Sequence, residues 1–379
     1  MYNYQKSNRY FAQVADDIKN IAGDELQLLG AQNISQAFRG IYFTADTKTL
    51  YRINYHSRLV NRVLAPLVSF HCNSDTVLYK KSLRVQWDDF IDPSKTFAVF
   101  ASVNHSSIRH TKFAALRLKD AVADFFREKT GKRPSIDTHN PDLWLNLYIE
   151  NDEAVISIDT SGGSLHRRGY RKKSIEAPMI ETLAAAIINY TEWDSSIPLY
   201  DPFCGSGTLL CEAFMKAANI PPAYLRQKFG FEMMPDFNQP LWSEVKKESL
   251  KEIKSLPKGL IAGSDISHQA VKAALTNCSV IDKENLIKIE QQNVFDIENL
   301  EKKVIVCNPP YGFRMGKAEK LGNFYKKFGD FLKKRCNGSV AYIYFGERKF
   351  IKNIGLKPSW KKPLQNGGLD GRLVKYKLY

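Results

Sequence analysis

Apolar positions along the chain recur with two different periods. Tyr51, Tyr55, Leu59, Val63 and Leu67 stand at helical spacing with Arg52, Arg58 and Arg62 between them, which predicts an amphipathic helix leading into a strand. Residues 97–103 form an apolar run that reads as a strand. Beyond the polar turn at Asn104, residues 112–129 read as a helix with Leu118, Ala121, Val122 and Phe125 on its buried face. Residues 142–149 and 154–159 are two more strand-like runs joined by a turn at 150–153. Short strands and helices mixed in this way predict an α+β front half.

From Glu176 onward the pattern becomes a regular alternation. Helices are predicted at 177–190, 208–218, 268–278 and 322–334, and strands at 197–203, 260–264, 287–291, 304–307 and 340–345. Alternation of this kind builds a mostly parallel sheet with helices on both faces, an α/β Rossmann-like domain. Pro221, Pro222, Pro235, Pro240 and Pro257 mark residues 219–258 as an insertion. No internal repeat or low-complexity linker interrupts the order.

Composition narrows the class. At roughly 100–200 residues per domain, 379 residues make two or three domains. No stretch approaches the ~20 apolar residues a membrane helix needs, and residues 1–20 lack the apolar centre of a signal peptide. A cytoplasmic protein, monomeric and without a membrane partner, is the expectation. The six cysteines form no Cys-x-x-Cys pair and the seven histidines show no metal-ligand spacing, so neither a disulfide framework nor a metal site is predicted.

The charge is uneven. Residues 1–160 carry 20 basic and 18 acidic side chains, a net of +2, whereas residues 301–379 carry 19 and 5, a net of +14. A sustained excess over eighty residues points to an anionic partner, nucleic acid before membrane surface. The run Arg167, Arg168, Arg171, Lys172, Lys173 reads equally as a solvated linker or as a phosphate-contacting hinge.

Two turns carry candidate chemistry. DPFCGSGT (201–208) ends a predicted strand and opens a helix, so Gly205 and Gly207 would let the backbone approach a ligand that faces helix N–H groups. Alone, such a turn is weak, because any tight turn with positive φ asks for glycine. It is not G-x-G-x-x-G and lacks the Gly-Lys-Ser/Thr of a phosphate loop. Asp265, closing the next strand at GSD (263–265), is placed to accept hydrogen bonds from a ribose diol. Cys204 reads as a packed small residue and not as a nucleophile.

The stronger signal is NPPY (308–311), directly after the apolar run 304–307. Two prolines fix the backbone and leave the Asn308 side-chain oxygen and the Pro309 carbonyl as rigid acceptors, with Pro310 completing the turn and Tyr311 adding an aromatic face. That set suits a planar base with an exocyclic NH₂.

DPFCGSGTLLCEA, GSDIS and NPPYG, in this order and spacing, resemble the amino-methylating class I methyltransferases that use S-adenosyl-L-methionine. IDTSGGSLHRRGYR (158–171) followed by APMIETLAAA (177–186) is similar to the THUMP-domain RNA methyltransferases, in the branch of the 23S ribosomal RNA guanine-N2 methyltransferases. The resemblance covers nearly the whole chain, including an Asn366-Gly367 element. It implies a ferredoxin-like region at 1–65, a THUMP RNA-binding domain at 66–160 and a methyltransferase domain with a seven-stranded sheet at 161–379. It also implies a cofactor site made by Thr182, Asp201, Phe203, Cys204, Gly205, Gly207, Thr208, Asp265, Ile266, Asn293, Val294 and Asn308, and a catalytic turn of Asn308, Pro309, Pro310 and Tyr311. The sequence departs from the pattern at Asn293, where an acid often contacts adenine, and at Gly371, which replaces a frequent cysteine.

The expected function is transfer of a methyl group to the N2 amine of a guanine in large-subunit ribosomal RNA. N6-adenine methylation of DNA or RNA, a tRNA guanine, and a non-catalytic RNA-binding assembly protein are the alternatives.

Overall fold

The computed structural model describes residues 1–175, 178–311 and 318–379; the expected helix start at Ala177 and the Gly312 that follows Tyr311 lie outside them. The chain forms two compact units, Met1–Leu165 with Arg226–Lys247, and His166–Leu225 with Glu248–Tyr379.

The first unit contains α1 (Asn3–Ser7), β1 (Arg9–Gln13), α2 (Lys19–Leu28), β2 (Gln32–Ala37), β3 (Gly40–Thr44), α3 (Thr47–His56), β4 (Arg62–His71), α4 (Asp75–Ser82), β5 (Thr96–Asn104), α5 (Thr111–Thr130), β6 (Ser135–Ile136), β7 (Leu143–Glu150) and β8 (Glu153–Asp159). Two of its helices, α3 and α4, start at side-chain caps: Asp46 accepts from the Thr49 amide and Ser74 from the Val77 amide. All eight strands join one sheet in the order β2-β3-β1-β4-β8-β7-β5-β6. The long strand β4 crosses the expected border at 65/66, because its first residues pair with β1 and its remainder with β8.

Helical spacing at Leu59, Val63 and Leu67 does not extend the helix. The chain leaves it at Ser57, which is extended (φ −67°, ψ 126°). A step of four is also a multiple of two, so Val63 and Leu67 satisfy a strand as readily as a helix. On α5 the buried face ends in Phe126, which is fully buried, and not in Phe125.

The proline-marked insertion interrupts the second unit, and its middle, Arg226–Lys247, belongs to the first. Trp242 lies edge-on to Tyr55 and Phe229, with ring centroids 5.3 and 5.2 Å away, and Phe231 sits 4.4 Å from Tyr51. The Asn238 amide donates to the Tyr51 hydroxyl at 2.8 Å. Aromatic burial of this extent makes the segment part of that unit's core.

The second unit contains α6 (Glu181–Tyr190), β9 (Leu199–Asp201), α7 (Thr208–Ala217), the end of α8 (Gln239–Lys251), β10 (Ile261–Asp265), α9 (His268–Cys278), β11 (Lys288–Gln291), β12 (Val304–Cys307), α10 (Ala318–Arg335), β13 (Val340–Phe345), β14 (Trp360–Pro363) and β15 (Arg372–Lys377). The sheet order is β11-β10-β9-β12-β13-β15-β14. Pairs from β11 to β13 are parallel, and β15 enters antiparallel between β13 and β14. Strand order reverses between β9 and β12, and ligands of such sheets bind at the carboxyl ends of the strands beside that reversal.

One hydrophobic cluster holds this edge together. From α10, Leu321, Tyr325, Phe328 and Leu332 are buried with Ile305 and Cys307 of β12 and Ile343 and Phe345 of β13. The stripe has helical spacing and fixes α10 beneath the end of β12.

Candidate active site

Three strand ends bring the candidate residues to one edge of the second unit's sheet. β9 ends at Asp201, β10 at Asp265, and β12 at Cys307, immediately before Asn308. The glycine turn after β9 has φ of 55° at Gly205 and 82° at Gly207, values that favour glycine. Their missing side chains also admit their own chain: a Cβ on Gly207 would come within 3.2 Å of Ala274 and Cys278 of α9, and one on Gly205 within 3.2 Å of Ile175. The glycines thus serve packing as well as ligand approach.

Asp265 ties the two strand ends together. Its Oδ2 accepts from the Gly205 amide at 3.0 Å and its Oδ1 from the Ser267 amide at 2.9 Å. A carboxylate has about four acceptor positions, so lone pairs remain for a diol. Asp201 is buried, and its Oδ1 accepts from the Phe203 amide at 3.0 Å. Burial, reinforced by the nearby Asp265 charge, pushes its carboxyl well above the usual range. Such a group is suited to a cationic ligand, which would restore the carboxylate.

The remaining expected cofactor residues differ in kind. Phe203 turns its ring to Phe324 and Phe328 of α10, at 5.7 and 5.1 Å. Thr182 is buried in the first turn of α6. The Thr208 hydroxyl is taken by Arg171 at 3.1 Å. Ile266 is exposed, while Val294 is buried in the hydrophobic cluster, leaving only its main chain for a ligand. The Asn293 oxygen caps its own turn by accepting from the Phe295 amide at 3.2 Å. Cys204 is buried, and burial raises its thiol pKa, which keeps it protonated and un-nucleophilic.

At the end of β12, Asn308 Oδ1 is buried and no described residue donates to it. Buried acceptors are almost always satisfied, so this one is available for a ligand's hydrogen. The carbonyl of Pro310 is occupied, accepting from the Tyr325 hydroxyl at 3.1 Å. No main-chain amide of the described residues donates to the Pro309 carbonyl. The Asn308 oxygen and the Pro309 carbonyl thus lie in adjacent residues at the end of β12.

The basic run is neither linker nor phosphate hinge for its central members. Arg168 and Glu212 are buried together at 3.5 Å, and the Tyr170 hydroxyl donates to Glu212 at 2.9 Å. Arg171 binds Glu181 at 2.8 Å, the Met179 carbonyl at 2.9 Å and the Ser206 hydroxyl at 3.2 Å, in addition to Thr208. It therefore clamps the start of α6 to the glycine turn. Charge counting concealed this, because a guanidinium clamp and a surface cation look alike in sequence. Gly371 is also explained: a Cβ there would meet the Tyr344 hydroxyl at 2.0 Å. Among the described residues, no group of three or more His, Cys, Asp or Glu side chains is arranged to hold a metal, and no helix is long and apolar enough to cross a membrane.

A seven-stranded sheet reversing between β9 and β12, with these groups on its carboxyl edge, defines a Rossmann-like methyltransferase domain. The chain belongs to the RMKL-like methyltransferase family, which residues 168–375 match; residues 72–159 match the THUMP domain and residues 9–64 the RlmL ferredoxin-like domain.

A Synechocystis sp. protein provisionally named an RNA methyltransferase is 38% identical, over 98% of this chain and 97% of its own length. The ribosomal RNA large subunit methyltransferase K/L of Syntrophotalea carbinolica is 35% identical over 97% of this chain, and the chain spans 53% of that relative. Among solved structures, a provisional methyltransferase complexed with S-adenosylhomocysteine superposes with a TM-score of 0.85 at 26% identity, covering 98% of both chains. A Listeria monocytogenes protein described as a predicted N6-adenine-specific DNA methylase gives 0.84 at 28% identity, covering 99% of this chain and 97% of that one.

Proposed function

We propose that this protein transfers the methyl group of S-adenosyl-L-methionine to the exocyclic N2 amine of a guanine in large-subunit ribosomal RNA. The observation that carries the reading is the buried, undonated Oδ1 of Asn308 next to the Pro309 carbonyl. Two fixed acceptors at the end of one strand match the two hydrogens of an amino group. A ring nitrogen such as guanine N7 has no hydrogen to offer them.

The cofactor supplies an electrophilic methyl group on a sulfonium centre. Asp265 would hold its ribose diol, and Asp201, driven toward the carboxylate by a nearby cation, would favour its charged end. Guanine's amino lone pair is delocalised into the ring. Asn308 and Pro309, by holding both hydrogens, favour the pyramidal nitrogen whose lone pair can attack, while Tyr311 stacks on the base. Catalysis on this account is mainly positioning. The methylated amine is acidic enough to lose its proton afterwards, so a strong base is unnecessary. A paired target must be unstacked first, at a cost of a few kcal/mol.

RNA as the substrate is supported by the THUMP match and by the names of the relatives, and large-subunit RNA by the K/L proteins. Those K/L proteins are about twice as long, so the reading rests on the half they share with this chain. N6-adenine methylation is the second reading, favoured by the Listeria monocytogenes neighbour and by an acceptor pair that fits adenine's amine equally. Inosine, which is guanosine without the N2 amine, separates the two. RNA carrying the target guanine should take label from the cofactor as N2-methylguanosine, and the inosine-substituted RNA should take none; label recovered as N6-methyladenosine would establish the second reading.

A further inference from the structure

We propose that Gly346 is a positioning residue for base capture: it closes one face of the Tyr311 ring and so sets the depth at which the target base stacks. The inference rests on the function proposed above and deepens it. Gly346 follows the last residue of β13, the strand beside β12 in the sheet. A Cβ on Gly346 would lie 2.6 Å from Tyr311 Cδ2 and 2.7 Å from both Cγ and Cε2. A point almost equidistant from three consecutive ring atoms lies over the ring's face, because approach from the edge would leave the outer two much farther away. The main chain at Gly346 therefore covers one π-face of Tyr311, and a base can stack only on the other.

The backbone does not itself require glycine here. Gly346 is absent from the glycines with positive φ, so its lack of a side chain answers to the tyrosine ring. The turn bearing that ring is fixed from a second side. Tyr325 of α10 donates to the Pro310 carbonyl at 3.1 Å, and its own ring is fully buried, stacked on Phe350 at 5.2 Å and tilted against Phe345 at 5.4 Å. With Pro310 held by Tyr325 and the ring backed by Gly346, Tyr311 stands at a set distance from Asn308. A methyl group at position 346 must restore ordinary carbon contact of about 3.5–4.0 Å. The ring would move by roughly 1 Å toward the base.

Gly346→Ala tests this in the full-length protein by single-turnover methyl transfer at saturating cofactor. The rate should fall on the order of 10- to 100-fold, with cofactor affinity from calorimetry and the melting temperature near wild type, because the group that must yield is a half-buried ring. In a Tyr311→Ala background the same substitution should cost nothing further. Tyr325→Phe, which removes only the hydroxyl, should slow the step in the same direction. Should Gly346→Ala melt early, adding Tyr311→Ala should restore the melting temperature.

A wild-type rate in Gly346→Ala, an equal loss in both backgrounds, or a double variant that still melts early would each overturn the positioning role. The assay follows whichever base the wild-type enzyme methylates. Transfer to adenine would therefore overturn the base assignment and leave Gly346 standing, whereas a wild-type protein that methylates no RNA would remove both.

Discussion

The amide of Gly205 donates to Oδ2 of Asp265 at 3.0 Å, across sixty residues of sequence. The glycine turn after β9 and the acid closing β10 are therefore one assembly, and the acid shapes the turn as well as offering acceptors to a ribose. Asp265→Ala should weaken cofactor binding by about 1–3 kcal/mol through lost ribose bonds and a stranded Gly205 amide. Asp265→Asn retains an oxygen for that amide and should lose less. Isothermal calorimetry reads both, and unchanged affinity in the alanine variant would put the ribose elsewhere.

Burial and the Asp265 charge raise the Asp201 carboxyl, whereas an unfolded aspartate titrates near ~3.9. The folded, ligand-free protein therefore binds the proton more tightly than the unfolded chain. Its stabilising contribution is complete below the unfolded value and is lost as pH rises through the raised one. Melting curves should show this decline, and Asp201→Asn should flatten it. A cationic cofactor favours the carboxylate, so its affinity should tighten over the same rise in pH, with proton release visible as buffer-dependent binding heat. Proton uptake on binding would contradict the assignment.

Much of the second unit is legible in sequence because its elements are short, strongly periodic and end in punctuating turns. The spans of β12, β13 and α9 agree between pattern and structure, and NPPY announces its strand end by its prolines. Other features were hidden for identifiable reasons. β14 carries two adjacent lysines, Lys361 and Lys362, followed by Pro363 at the sheet edge and offers no apolar run. The role of Arg171 is hidden because a run of basic residues does not reveal which member meets water and which meets Glu181. The role of residues 226–247 depends on tertiary aromatic packing, which prolines conceal by suggesting a loop.

That packing predicts the cost of removing it. Trp242 is buried against Tyr51, Tyr55, Phe229 and Phe231, so Trp242→Ala should destabilise the first unit by about 3–5 kcal/mol. Denaturant melts measure it, and a loss below about 1 kcal/mol would mean that the segment is peripheral. A fragment beginning at residue 161 would leave these aromatics unpartnered, so the contribution of the front half is better tested by such substitutions in the intact chain.

Asn308 separates chemistry from cofactor binding. Asn308→Ala removes one of two acceptors for the amine and should depress the single-turnover rate far more than cofactor affinity. Asn308→Asp keeps an acceptor but buries a charge, so it should be impaired yet faster than alanine. An alanine variant of normal rate would assign the amine to other groups.

The central claim, a methyl group on guanine N2 of large-subunit ribosomal RNA, is tested most directly by nucleoside mass analysis of that RNA from cells with and without the gene. The account predicts that N2-methylguanosine at one position disappears in the deletion and returns with the wild-type gene but not with Asn308→Ala. An unchanged N2-methylguanosine content, with loss instead of N6-methyladenosine or of a modification confined to tRNA, would contradict it.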